Sequence, residues 1–293
     1  MELRGETVEN KAVGVNVGHG GVSVDVGGSG GHRRPPYVRV DPPYVDVQPW
    51  APFGYRYAAS EDQLHDNPNV ALFFLKKDLQ TNTIIDLQFT KASTKNKFLP
   101  RHVAETIPFS LNKFDEILQQ FSIKSQSAEA ETMKKTIKHC EEPATEGEVK
   151  YCVTSLEAMV DFSTSKLGKN VQATSTEVDK EESQPQKFTM MPGIKKFAEE
   201  KVVVCHSQSY VYPVFYCHET HTTRAYLVLL VGADGTKAKA VAVCHTNTSK
   251  WNPKHLAFQV LKVKPGTVPI CHFLPENHIV WAAKYEAHTQ WKT

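Results

Sequence analysis

The spacing of apolar and polar residues divides the 293-residue chain into three regions. Residues 1–66 mix valine with many glycines and then with prolines, and they offer too little apolar surface to offset the entropy lost on ordering. We therefore expect a mobile Gly/Pro-rich leader over 1–66, a folded domain over 67–285 and a short tail over 286–293.

The first part of the folded domain mixes strand and helix patterns. Apolar runs at 70–75 and 84–89 predict two strands joined by a polar turn. Ser110 is the expected N-cap of a first helix. Apolar residues at helical spacing, together with good helix formers, predict three helices, over 114–121, 128–139 and 155–162. The polar stretch 165–195 predicts connections around one weak strand.

Strand patterns dominate from Lys201 onward. Gly232-Ala233-Asp234-Gly235 is a hairpin signal between two apolar runs. Apolar runs predict strands over 201–204, 225–231, 237–243, 258–263 and 269–271. The predicted fold class is therefore α+β, a β-rich domain of antiparallel strands and hairpins with a few helices.

The candidate chemistry is concentrated in this strand-rich region. Four Cys-His dipeptides occur there, at Cys205-His206, Cys217-His218, Cys244-His245 and Cys271-His272. They contain four of the six cysteines and four of the thirteen histidines, a concentration that chance does not readily produce. The last two intervals between cysteines are both 27 residues, which suggests a repeated structural unit. Each dipeptide follows an apolar run, so we expect the strands to bring all four to one region of a sheet.

Strand geometry separates the two members of each dipeptide. Successive side chains of a strand point to opposite faces, so a cysteine and the histidine after it do not easily reach one tetrahedral ion. We expect the cysteines on one face as disulfides and the histidines on the other as ligands or acid–base groups. Three pairings of the repeat cysteines stay open. A Cys2His2-type zinc site is the alternative, although the chain has no C-x-x-C knuckles.

The even number of cysteines indicates an oxidising compartment. Cys140 and Cys152 flank a turn-rich stretch, and we expect a local bridge between them. All six cysteines are thus predicted to form disulfides, which are typical of secreted proteins. The N-terminal residues lack the apolar run of a signal peptide, so we expect that a secretion signal has been removed.

Charge and hydropathy argue against two classes of partner. The formal net charge is +2 and charges of both signs are interspersed, which gives no electrostatic case for nucleic acid or an anionic membrane. No run approaches the roughly 20 apolar residues of a membrane span. We therefore expect neither a nucleic acid nor a membrane as partner.

The order and spacing of the dipeptides, CH-x10-CH-x25-CH-x25-CH, resemble the signature of the plant BURP domain. The likeness covers about residues 60–285 and includes the Phe-Phe segment 69–79, Pro108-Phe109-Ser110, the segment 140–162 and His278-Ile279-Val280-Trp281. The Gly/Val-rich stretch of the leader is similar to repeats in dehydration-responsive and unknown-seed-protein relatives.

This resemblance implies one of two functions. Some members of the family are copper-dependent peptide cyclases that crosslink a core peptide, often one carried in the same precursor. Others resemble cell-wall or seed proteins without established catalysis, in the apoplast, a vacuole or a seed storage compartment.

For the cyclase, the resemblance implies two Cu2+ ions, dioxygen as the oxidant and the cysteines as disulfides. The expected ligands and catalytic residues are His206, His218, His245 and His272. His221, His255 and His278 are further candidates for a second centre. Imidazole donors without thiolate suit Cu(II), and a redox metal with oxygen is suited to attacking an unactivated C–H bond.

One segment of the leader is a candidate substrate. Residues 48–57 begin with Gln-Pro-Trp, as core peptides of several cyclases of the family do. The residues of interest are Gln48, Pro49, Trp50, Gly54, Tyr55 and Tyr57. Ala51 replaces the usual glycine and Tyr55 the usual closing Trp, so a Pro-rich linker is the alternative interpretation. The expected partner is a peptide substrate, either this leader or another precursor.

Overall fold

The fold is given by a computed structural model that describes residues 12–18, 21–27, 73–89, 97–180, 185–198 and 201–284. For 12–18 and 21–27 it describes the backbone only. The candidate core peptide 48–57, the tail 286–293 and most of the leader 1–66 lie outside these residues.

Strands outnumber helices in the described part of the chain. The strands are β1 (Ala12–Gly18), β2 (Gly21–Gly27), β3 (Phe73–Leu75), β4 (Ile84–Leu87), β5 (Glu148–Val153), β6 (Val171–Thr174), β7 (Glu177–Val178), β8 (Gln186–Met190), β9 (Lys195–Lys196), β10 (Val202–Gln208), β11 (Val214–Thr220), β12 (Thr223–Gly232), β13 (Lys237–His245), β14 (Ile270–Phe273) and β15 (Ile279–Ala283). The helices are α1 (Arg101–Ala104), α2 (Phe114–Gln120), α3 (Ala128–Glu141), α4 (Leu156–Leu167) and α5 (Leu256–Leu261).

Two antiparallel sheets form the body of the domain. The five-stranded sheet has the order β5-β11-β10-β15-β6. The eight-stranded sheet has the order β3-β14-β13-β12-β8-β4, with β7 on β13 and β9 on β12. This architecture confirms the β-rich α+β fold class. Within the predicted leader, β1 and β2 pair antiparallel, from Ala12↔Gly27 to Gly18↔Gly21.

Residue alternation places a core between the two sheets. Val202 and Val204 of β10 pack in one cluster with Val241 and Val243 of β13. The residues between them face the other way: Val203 belongs to a second cluster, together with Met159 of α4 and Trp281 of β15. β10 is therefore buried on both faces, which explains why its sequence begins with a continuous apolar run. Burying one such side chain contributes about 1.5–3 kcal/mol.

Two of the predicted helices begin with a serine N-cap. The Ser127 hydroxyl accepts the N–H of Ala130 at the start of α3, and Ser155 caps α4 in the same way. The predicted N-cap at Ser110 is wrong. A 3₁₀ turn, Leu111–Lys113, separates this serine from α2, and its hydroxyl instead donates to Glu141 Oε1 at 2.7 Å.

The strand predicted over 258–263 is also wrong, because α5 occupies Leu256–Leu261. His255 starts this helix, since its Nδ1 accepts the N–H of Ala257 at 3.1 Å. Lys262 ends it with a left-handed backbone, φ 54°. A short apolar run has no clear period, so only the cap and the tertiary packing decide between strand and helix.

Two further expectations from spacing are corrected. The polar stretch 165–195 forms four short strands, β6 to β9, and not one. The equal 27-residue intervals do not mark a repeated unit. The first interval contains the β12–β13 hairpin, whereas the second contains a loop and α5. None of the helices in the described residues is long and apolar enough to cross a membrane.

Candidate functional site

The disulfides set the geometry of the site. Cys205 lies directly opposite Cys217 on β10 and β11, and Cys244 lies opposite Cys271 on β13 and β14. Both facing pairs are bridged, and Cys140 is bridged to Cys152. All six cysteines are therefore in disulfides, as predicted, and no thiolate is available for the alternative zinc site.

Each bridge places two histidines on the opposite face of its sheet. Because every histidine follows its cysteine by one residue, two facing cysteines leave their histidines diagonal to one another across the ladder. The registers are His206↔Tyr216, Val204↔His218, His245↔Ile270 and Val243↔His272. The same sequence element is thus used twice, once in each sheet.

The imidazoles form two pairs between the sheets. In the first pair, Nε2 of His206 lies 3.2 Å from Nε2 of His218. In the second pair, Nε2 of His245 lies 3.4 Å from Nε2 of His272. The ring centroids of His206 and His272 are 6.4 Å apart, so the two pairs make one quartet. The expectation that all four dipeptides meet on one sheet is corrected, because the site joins two sheets across the core.

The outer nitrogen of each imidazole also contacts a polar group. Nδ1 of His218 is 3.0 Å from Oε1 of Glu148, and Nδ1 of His206 is 3.0 Å from Nδ1 of His278. In the second pair, Nδ1 of His272 is 3.4 Å from the carbonyl oxygen of Phe273, and Nδ1 of His245 is 3.3 Å from the Thr223 hydroxyl. Such outer contacts orient histidine ligands in metalloproteins.

These contacts favour one tautomer in one member of each pair. A carboxylate and a carbonyl oxygen only accept, so these contacts favour a proton on Nδ1 of His218 and of His272. His278 and the Thr223 hydroxyl donate or accept, so their partners His206 and His245 can switch tautomer. In each pair, one imidazole thus has an outer contact that only accepts, and the other has an outer contact that can also donate.

Burial keeps His206, His245 and His272 uncharged. Burial lowers the pKa of His206 and His245 well below 6.5, and the neighbouring imidazoles lower it further. Burial also lowers the pKa of His272 to about 3, despite the opposing contact with the Phe273 carbonyl, and that of His278 to about 3. Neutral imidazoles are the form that binds metal ions.

The two Nε2 atoms of each pair are spaced suitably to bind one metal ion. Two nitrogens held at about 2.0 Å by one ion, at an angle between about 90° and 109°, are about 2.8–3.3 Å apart. The first pair matches this separation, and the second is close to it. Among the described residues, however, no group of three or more His, Cys, Asp or Glu side chains is arranged to hold an ion. The same pairs also fit an N–H···N hydrogen bond.

The three additional histidine candidates have separate positions. His278 contacts His206, as described above. His255 is buried between Trp251 and Phe73, with ring-centroid distances of 4.6 and 5.6 Å, and it caps α5. The His221 side chain is 71% exposed and lies 3.6 Å from Glu219. The structure therefore does not bring these three together as a second centre.

Glu148 is the functional candidate that the sequence pattern did not identify. Its Oε1 accepts from the Tyr216 hydroxyl at 2.7 Å, and its Oε2 accepts from the Thr145 N–H at 3.0 Å. Burial raises the pKa of this carboxyl, but the contacts with His218, Tyr216 and Thr145 outweigh it, and the pKa is lowered overall. In the sequence Glu148 is one of several acidic residues in a turn, so no local signal marks it.

Comparison with known proteins places this sequence in a family. The sequence profile of the BURP domain matches residues 72–283. The chain belongs to the BURP-domain family. It is 57% identical to BURP domain protein RD22 of Arabidopsis thaliana over 246 residues, which cover 82% of this chain and 63% of RD22. It is 54% identical to BURP domain-containing protein 3 of Oryza sativa subsp. japonica over 248 residues, 83% of this chain and 57% of the relative.

A more distant BURP relative is protein RAFTIN 1A of Triticum aestivum, 36% identical over 214 residues, 72% of this chain and 55% of the relative. This BURP chain thus spans 63%, 57% and 55% of the length of these three relatives. The bridged Cys-His strands lie inside the matched region, so the quartet belongs to the BURP domain itself.

Proposed function

We propose that this BURP chain is a copper-dependent oxidative peptide cyclase that uses dioxygen. His206 with His218, and His245 with His272, would hold two copper ions. The observation that carries the proposal is the buried quartet whose Nε2 atoms face each other in two pairs at 3.2 and 3.4 Å. Bound copper would supply the oxidising power to activate a C–H bond.

The net reaction joins an aromatic side chain to a saturated carbon of a peptide. One bond forms, from a Tyr oxygen or Trp nitrogen to carbon, while one O–H or N–H bond and one C–H bond break. Two hydrogen atoms, with their electrons, pass to dioxygen and yield hydrogen peroxide. The peptide is the leader segment 48–57, with Trp50, Tyr55 and Tyr57 as crosslinkable rings, or a segment of another precursor.

The chain's own residues have defined tasks in this proposal. The outer contacts of Glu148 and the Phe273 carbonyl orient His218 and His272. The two cystines fix the spacing of the strands that carry the imidazoles. The disulfides agree with an oxidising location, in the secretory pathway or outside the cell.

Mass spectrometry tests the cyclase directly. The disulfide-intact chain is loaded with Cu(II), held in air, digested, and the peptide spanning residues 48–57 is weighed. We expect a loss of two hydrogen masses in that peptide. The loss should be absent under nitrogen and in the His218→Ala variant. An unchanged mass with copper bound would contradict self-cyclisation.

A non-catalytic cell-wall or seed protein is the second candidate function. The imidazole pairs are compatible with it, because Nε2 separations of 3.2 and 3.4 Å also fit N–H···N hydrogen bonds. In that case the imidazole pairs and cystines serve stability alone. Copper-loaded chain that leaves both its own leader and added Gln-Pro-Trp peptides unchanged would support this second function.

A further inference from the structure

The two imidazole pairs are built alike but have different electrostatic surroundings. Of the four outer contacts that orient the quartet, one is made by a carboxylate, that of Glu148 to His218. The equivalent contact in the second pair is made by the neutral carbonyl of Phe273 to His272. The pairs therefore differ by one negative charge at the same position.

We propose that Glu148 is a positioning residue that makes the His206–His218 pair the tighter of the two copper sites. This inference rests on the proposed function, because it concerns the same quartet. Its physical basis is that a carboxylate behind an imidazole fixes the ring, increases the basicity of the far nitrogen and compensates part of the ion's charge.

The environment of Glu148 suits this task. Its side chain is 1% exposed, so its charge is poorly screened by water and acts strongly on its neighbours. The Tyr216 hydroxyl and the Thr145 N–H hold both carboxylate oxygens. Tyr216 is in turn packed against His139, with stacked rings 4.5 Å apart. The carboxylate is thus fixed in place before any ion binds.

The strands that flank the two pairs also place different residues beside them. Glu148 lies on β5, which pairs with the outer side of β11 and places Lys150 opposite His218. In the eight-stranded sheet the equivalent neighbour of β14 is β3, which places Phe73 opposite His272. Phe73 thus occupies the position that Lys150 has in the other sheet, and its ring packs against His272 with centroids 5.9 Å apart.

Copper titration of the full-length, disulfide-intact chain tests the inference. The two pairs are measured separately. His245→Ala disrupts the second pair, so that copper binding by the first is measured, and His218→Ala disrupts the first pair, so that binding by the second is measured. Glu148→Gln keeps the shape and removes the charge. In the His245→Ala background it should weaken Cu(II) binding by about 10- to 100-fold, and in the His218→Ala background it should have no effect.

Two further variants exclude trivial explanations. Glu146→Gln makes the same substitution at an exposed carboxylate that pairs with Lys250 at 2.7 Å, and it should leave both affinities unchanged. Tyr216→Phe removes one hydrogen bond from Glu148 without changing charge, and it should weaken the first pair by less than Glu148→Gln does. It also tests the inference if Glu148→Gln fails to fold.

A readout without copper completes the test. The ¹⁵N shifts of His218 in the metal-free chain should show a single Nδ1–H tautomer, which becomes mixed in Glu148→Gln. If Glu148→Gln weakens copper binding equally at both pairs, or does not weaken it at the first pair, the inference is wrong but the proposed function is not affected. Absence of copper binding by the unaltered chain would overturn the proposed function and the inference together.

Discussion

At the scale of single residues, burial determines what the histidines of the quartet can do. An exposed imidazole is partly protonated near neutral pH, whereas His206 and His245 are held neutral because water cannot solvate their charge. Exposed His221 is of the same residue type but has no such environment. Location, not residue identity, therefore separates the quartet from exposed His221.

Replacing single histidines tests this distinction. His245→Ala should lower the bound copper by about half, because it removes one member of the second pair. The disulfides should remain intact, since the imidazole lies on the face opposite Cys244. His221→Ala is the matched control and should leave the copper content unchanged. Copper content is measured by atomic absorption after gel filtration, and equal values in both variants would contradict the ligand assignment.

At the scale of elements, two bridged strand pairs carry the site. Each cystine lies directly across its ladder, so it fixes the register on which the diagonal imidazole pair depends. A shift of the strand register by one residue would turn the histidines toward the outer core and the cysteines toward the site. The alternation of Val202, Val203 and Val204 also helps to fix the register of β10, because both faces of this strand are buried.

Removing one cystine should therefore affect one pair. Replacement of both Cys244 and Cys271 by Ala should lower the free energy of unfolding by about 2–4 kcal/mol. It should weaken copper binding by the second pair and leave the first unchanged. The Cys205→Ala/Cys217→Ala variant should give the reverse pattern. Denaturant unfolding and copper titration measure both, and loss of affinity at both pairs in each variant would contradict independent strand pairs.

The whole molecule brings the two strand pairs together by packing one sheet on the other. The inter-sheet core of Val204, Val243 and their neighbours ends at the quartet, so the imidazoles extend an apolar layer. Buried neutral histidines then link stability to pH. His272 and His278 have a pKa of about 3 when folded, against 6.5 in an unfolded chain.

The sign of this linkage follows from proton uptake. Below pH 6.5 the unfolded chain binds protons that the folded chain does not, so the stability present above pH 6.5 is lost progressively toward pH 3. The copper-free chain should thus be less stable at about pH 5 than at pH 7.5, and its unfolding midpoint should lie at a lower denaturant concentration. The free energy of unfolding should fall by up to about 1.4 kcal/mol per pH unit for each of these histidines. His278→Gln should show a shallower dependence. An unfolding midpoint that is equal at both pH values would contradict buried neutral histidines.

Local sequence patterns were enough to predict the strand-rich fold class, the disulfide role of the cysteines and the separation of cysteine and histidine onto opposite faces. Alternation along a strand is a local property, so it can be read from Cys205-His206 without knowing the neighbours. Three features became visible only in the folded chain: the dipeptides lie on two sheets, 258–263 is largely helical, and Glu148 contacts His218. Those features depend on contacts between residues distant in sequence, such as Glu148 and His218, which local periodicity does not encode.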